Sequence, residues 1–76
     1  MEEAAWVEVD SLLDEMIAAQ RVRLLQLARR IRPTTTAEDL LQPHDYPELS
    51  ANSDFNFEDG ILAGYLALRA ALRARR

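Results

Sequence analysis

The chain has 76 residues, no cysteine and a formal net charge of −4. Its length allows one small domain with a marginal core, and the lack of cysteine excludes disulfides and thiolate metal sites. An apolar share of 49% argues against a disordered tail, and no apolar run reaches the roughly 18 residues of a membrane span. Because the first residues are acidic, unlike a secretory signal, we expect a soluble cytoplasmic protein without a membrane partner.

Charge changes sign in four blocks along the chain. Residues 1–15 carry −6, residues 16–33 carry +5, residues 34–60 carry −7 and residues 61–76 carry +4. An acidic start and a basic end suit the dipole of a helix, so the two gradients predict two helices. Antiparallel packing would bring blocks of opposite sign together, whereas parallel packing would bring like charges together. The pattern therefore predicts an antiparallel pair.

The first predicted element is a helix over about residues 4–32. Apolar side chains recur at helical spacing from Trp6 to Ile31, and Pro33 ends the pattern. Such a helix is about 42 Å long, whereas a compact globule of this chain length is about 30 Å across. We therefore expect an elongated molecule that completes a larger bundle with a second copy or a partner.

The far side of this helix carries a second group of apolar residues. Scattered exposed apolar residues are common on protein surfaces, whereas a cluster is typical of a contact surface. Both interpretations stay open here. The candidate interaction residues on this side are Val7, Val22 and Leu25.

Four arginines form a basic cluster towards the end of the same helix. They are Arg23, Arg29, Arg30 and Arg32. Such a cluster can bind the phosphates of nucleic acid. It can equally complement the helix dipole and pair with the acidic connection that follows. The net acidity of the chain makes nucleic acid the weaker hypothesis.

Residues 33–55 form a long connection with a predicted short helix over residues 37–42. We expect Leu40 and Leu41 to face inward from this helix. Its N-terminus has the pattern of a capping box, in which a threonine and the acid three residues later satisfy each other's backbone amides. The candidates are Thr35 or Thr36 with Glu38 or Asp39.

Residues 43–49 are predicted to form a turn held between two prolines. Its Tyr46 and Leu49 are candidate anchors for another protein, or they fold back and cap the open end of the helical hairpin. The single histidine, His44, has acidic neighbours but lacks further ligands in the sequence. No catalytic or phosphate-binding motif is present, so we expect neither an enzyme nor a metal or other cofactor.

The last predicted element is a helix over about residues 56–75, capped by Asp54 or Asn56. Its main apolar stripe is expected to contain Phe57, Ile61, Tyr65, Leu68 and Leu72. Beside that stripe lies a row of small residues, although two glycines inside a helix cost about 1 kcal/mol each. We interpret the row as a close helix-packing face, for the first helix or for a symmetry mate. It contains Gly60, Gly64, Ala67 and Ala71.

Together these features predict a single all-α domain over residues 1–76. It is an antiparallel helical hairpin with a long first helix, a short helix in the connection and a final helix, and it dimerises into a four-helix-type bundle. The functional hypothesis is a non-catalytic protein–protein interaction module, meaning a small adaptor, assembly subunit or regulator. Its partners would be a second copy of itself and another protein. The alternative is a small nucleic-acid-binding regulator that uses the four arginines.

Overall fold

A computed structural model describes residues 2–75 of the chain. Two long helices are joined by a connection that contains two short 3-10 turns and one short helix. In chain order the elements are α1 (Glu3–Ile31), the 3-10 turns Asp39–Leu41 and Pro43–Asp45, α2 (Pro47–Ser50) and α3 (Ser53–Ala74). The described residues contain no strand, so the all-α prediction is confirmed.

The two long helices lie side by side in antiparallel orientation. Asp10 on α1 pairs with Arg73 on α3, and Asp14 pairs with Arg69. A later residue of α1 thus pairs with an earlier residue of α3. The molecule measures 45 × 19 × 16 Å, and its radius of gyration of 14.5 Å exceeds the about 11 Å of a compact chain of this length. The predicted orientation and elongation are both confirmed.

The helix ends follow local chemistry. Arg32, the residue before Pro33, leaves the helical region with φ −138° and ψ 93°, because proline disfavours a helical residue before it. α3 begins earlier than predicted, and its cap is neither Asp54 nor Asn56. Asn52 caps it, because its side-chain oxygen accepts a hydrogen bond of 2.9 Å from the Phe55 amide.

The connection keeps the predicted capping box but not the predicted helix over residues 37–42. The Thr36 amide donates to the Asp39 carboxylate at 2.9 Å, and the Asp39 amide donates to the Thr36 hydroxyl at 3.3 Å. Pro43 follows so closely that the box supports only one 3-10 turn. As a result Leu41 is 77% exposed, contrary to the prediction that it faces inward, while Leu40 is half-buried.

The main buried cluster lies where the connection meets the two long helices, and Leu13 and Ile17 continue the buried face of α1 towards its start. Leu24 and Ala28 of α1, Leu49 of α2 and Phe55 of α3 form one buried cluster, and Tyr46 packs against it. The residues of the proline-bounded turn therefore fold back and cap the hairpin. Leu49 is 0% exposed, so it belongs to the core, and the prediction that it is a surface anchor for another protein is wrong.

The face of α3 that meets α1 differs from the predicted stripe. Phe55 is fully buried, whereas Phe57 is 68% exposed and Leu68 is 50% exposed. Phe55 and Phe57 project about 200° apart on a helix, so only one of them can face α1, and packing against Leu49 selects Phe55. The row of small residues points away from α1. A Cβ added at Gly60 or Gly64 would meet nothing within 4 Å.

Candidate interaction groove

An open apolar groove of about 490 Å³ lies on one flank of the hairpin, beside the connection. Its walls are the two long helices, and the connection closes one end. Every large side chain that the three segments contribute to its apolar surface is aliphatic. The main ones are Val22 and Leu25 from α1, Leu40 and Leu41 from the connection, and Leu62 and Leu66 from α3.

Helical geometry explains why α1 contributes to both the core and the groove. Leu24 points into the core, so its neighbours in sequence project from the flanks of α1. Leu25 lies at the edge of the packed surface and is half-buried, whereas Val22 is 57% exposed. On α3, Leu62 and Leu66 are one turn apart and project from the same flank.

The rim of the groove carries one charge of each sign. Arg21 lines it from α1 and Asp59 lines it from α3. Within residues 2–75 neither of them belongs to an ion pair. The groove therefore offers an apolar centre with a free cation on one wall and a free anion on the other.

The connection that closes the groove is fixed by a polar cluster centred on Arg32. Its guanidinium lies 3.3 Å from Asp39 and 3.4 Å from Glu48, and it stacks 4.1 Å from the centroid of the Tyr46 ring. The Tyr46 hydroxyl donates a 2.8 Å hydrogen bond to Asp39. Because these groups bind one another from different turns of the connection, they hold Leu40 and Leu41 in place.

The same hydrogen bonds shift two pKa values. The pKa of Asp39 lies below its ordinary value, first because the Thr36 amide donates to the carboxylate and second because Tyr46 does. The pKa of Tyr46 is raised, chiefly because its hydroxyl donates to the Asp39 carboxylate. Both shifts favour an ionised Asp39 and a protonated Tyr46, which is the state in which the hydrogen bond between them forms. The polar cluster is therefore intact at neutral pH.

Two members of the predicted basic cluster have partners within the chain. Arg32 is committed to the polar cluster just described, and the Arg29 side chain donates a 2.9 Å hydrogen bond to the Thr35 carbonyl. Arg23 and Arg30 are exposed on α1. Two of the four guanidinium groups thus have intramolecular partners before any phosphate approaches.

The structure places the five predicted interaction residues in four different surroundings. Val22 and Leu25 line the groove, whereas Val7 is 50% exposed near the other end of α1, about 22 Å along the axis from Val22. Tyr46 is half-buried in the polar cluster, and Leu49 is in the core. Sequence reasoning missed the groove residues Leu41, Leu62 and Leu66; the spacing of Leu62 and Leu66 was the available signal.

Other candidate chemistry is sparse in the described residues. The His44 side chain is 74% exposed and lies 3.7 Å from Asp45. No group of three potential metal ligands occurs between residues 2 and 75. Within the same range, no helix combines the length and the apolar character that a membrane crossing requires.

The comparisons with known proteins give no match. No family model matches the chain, and neither a curated protein nor a solved structure is significantly similar to it. The class that can be stated from the described structure is a small, elongated, all-helical protein with an apolar groove.

Proposed function

We propose that this protein is a non-catalytic interaction module that holds an amphipathic helix of another protein in the apolar groove. It would act in the cytoplasm as an adaptor, assembly subunit or regulator. The observation that carries the proposal is the convergence of exposed aliphatic side chains from three segments, with Leu41 77% exposed and Val22 57% exposed. Contiguous apolar patches of this kind mark interaction sites more often than isolated residues do.

The shape of the groove supports a helical occupant. Two antiparallel helices leave a channel between them, and a third amphipathic helix can fill it with side chains at helical spacing. Burying a fully exposed leucine or valine contributes about 1.5–3 kcal/mol, whereas association costs about 4 kcal/mol or more. Micromolar binding needs a further net gain of about 8 kcal/mol, so the occupant has to bury most of the aliphatic side chains of the groove. The free charges of Arg21 and Asp59 would orient the occupant, with an acidic residue near α1 and a basic residue near α3.

Self-association is part of the same proposal. The core of one copy is small, and large apolar side chains also remain exposed outside the groove. They include Leu12, Phe57 and Leu68, each at least half exposed. Small chains without disulfides often gain stability from oligomerisation, so we propose a homodimer with four long helices.

The alternative, a nucleic-acid-binding regulator, has less support. Arg29 and Arg32 would have to leave their intramolecular partners in order to contact phosphates. Arg23 and Arg30 would then supply most of the attraction, and a chain with a net charge of −4 opposes it.

A matched pair of variants tests the docking proposal. Leu41→Gln changes the groove, while Leu12→Gln changes another exposed leucine, on the flank of α1 that faces away from the groove. Affinity purification with quantitative mass spectrometry should recover at least one protein with the wild type and with Leu12→Gln, and lose it with Leu41→Gln. Equal recovery with both variants, each shown to be folded by circular dichroism, would refute the groove as the binding site.

A further inference from the structure

The outward face of α3 has an unusual composition for a surface helix. Between Asn56 and Ala74 the face directed away from α1 carries no charged side chain, although solvent-facing helix surfaces are normally polar. The charged side chains within this stretch project elsewhere: Glu58 bonds Gln20, Arg73 bonds Asp10, and Asp59 lines the groove. The outward face consists of Phe57, Gly60, Ala63, Gly64, Ala67, Leu68, Ala70, Ala71 and Ala74.

The accessible surface of one copy exceeds that of a compact chain of its mass. One copy exposes 5214 Å², whereas a compact monomer of its mass exposes about 4,700 Å². The excess of about 480 Å² goes with the elongated shape of the molecule, so apolar side chains that a compact globule would bury stay exposed. On the outward face of α3 the exposed large apolar side chains are Phe57, which is 68% exposed, and Leu68, which is 50% exposed.

The face is complementary to itself when two copies run antiparallel. With a twofold axis between residues 65 and 66, every residue meets a defined residue of the second copy. At the centre small residues meet small ones, so the two backbones can approach closely. At the flanks the large residues lie beside small ones. Gly64 is level with Ala67, Gly60 with Ala71 and Phe57 with Ala74, and Leu68 lies beside Gly64 of the second copy.

Charge favours the same direction. Arg75 and Asp54 are both exposed, and neither belongs to an ion pair in the described chain. In the antiparallel arrangement the Arg75 of one copy lies within reach of the Asp54 of the other, at both ends of the interface. A parallel arrangement would put like charges together and would set Phe57 against Phe57.

We propose that a second copy of this chain covers the outward face of α3, with the two α3 helices packed antiparallel across a twofold axis near residues 65 and 66. The inference rests on the self-association proposed above and adds its surface and its direction. The α3 helices form the centre of the dimer and the α1 helices lie outside. Val22, Leu25 and Leu41 stay outside the interface, and Ala63, at the edge of the outward face, is the groove residue that borders it. The α1 side of each groove and its connection therefore stay open to another protein.

Sedimentation equilibrium on the full chain tests the surface. Gly64→Gln adds a polar side chain where a Cβ meets nothing within the monomer, so the fold is kept. It should weaken self-association by at least about tenfold. Ala19→Gln introduces the same side chain at an exposed position of α1 and should leave self-association unchanged.

Disulfide trapping tests the direction, because the natural chain contains no cysteine. A mixture of Gly60→Cys and Ala71→Cys copies should form a cross-linked heterodimer under mild oxidation. Gly60→Cys on its own should stay monomeric on a denaturing gel. In the antiparallel dimer its two copies lie about 16 Å apart along the axis, beyond the about 7 Å that a disulfide can bridge.

The results of the sedimentation and cross-linking experiments distinguish failure of self-association from failure of the α3 interface. If the wild type stays monomeric up to submillimolar concentration, the proposed self-association fails and this inference fails with it. If the wild type dimerises but Gly64→Gln dimerises equally well, or Gly60→Cys cross-links to itself, self-association stands and the antiparallel α3 interface is refuted.

Discussion

Replacing Gly60 and Gly64 by alanine should stabilise the protein. Both glycines lie inside α3, neither has a positive φ, and an added Cβ would meet no atom within 4 Å. The change therefore acts through helix propensity, which favours alanine over glycine by about 1 kcal/mol per residue. The double variant should gain about 2 kcal/mol, equivalent to a rise in melting temperature of about 8–16 °C for a domain of this size.

Thermal and urea unfolding followed by far-ultraviolet circular dichroism measures this gain. Dilute protein is required, so that the monomer is observed and the α3 interface does not contribute. Ala67→Gly is the matched control on the same exposed face, and it should lose about 1 kcal/mol. A double variant no more stable than the wild type would show that the glycines contact another part of the monomer, and the outward placement of this face would be refuted.

Three further perturbations test the core, the ion pairs and the polar cluster. Leu24→Ala should lower the free energy of unfolding, measured in urea, by about 2–5 kcal/mol, because Leu24 is buried. Leu41→Ala, at an exposed site, should change it by less than about 0.5 kcal/mol. Equal losses from the two variants would contradict the assigned core. Arg73→Ala should lower the free energy of unfolding only slightly, because its ion pair with Asp10 is exposed, and the effect should vanish in about 1 M salt. An effect that is insensitive to salt would contradict an exposed ion pair. Because the folded state lowers the pKa of Asp39 from 3.8, its carboxylate contributes stability above about pH 4 that is lost as the pH falls through the lower folded-state pKa. The stability difference between the wild type and Asp39→Asn should therefore shrink below about pH 4, and a difference that is constant with pH would contradict the role of the carboxylate.

The long-range architecture could be predicted because it depends on patterns that extend over many residues. The apolar periodicity of α1 covers several turns, and the charge blocks distinguish antiparallel from parallel packing without any detailed contact. The observed pairs of Arg69 with Asp14 and of Arg73 with Asp10 are the ones that this argument requires.

The details of the connection and of α3 depended on tertiary packing. Phe55 and Phe57 are both plausible core residues by type, and only the position of Leu49 decides between them. A regular helix over residues 37–42 would turn Leu41 inward. Pro43 limits this segment to one 3-10 turn, so Leu41 is exposed instead. The sequence predicts only the α1 wall of the groove, through Val22 and Leu25. The other walls depend on how the connection crosses the hairpin, which the sequence does not show.

Photo-crosslinking in cells tests most directly whether the groove binds another protein. A photoreactive amino acid at position 41 faces the groove, while the same group at position 12 lies on the other flank of α1. Docking in the groove predicts a discrete cross-linked species from position 41 that is absent from position 12. The same species from both positions, or none from position 41, would contradict the proposed function.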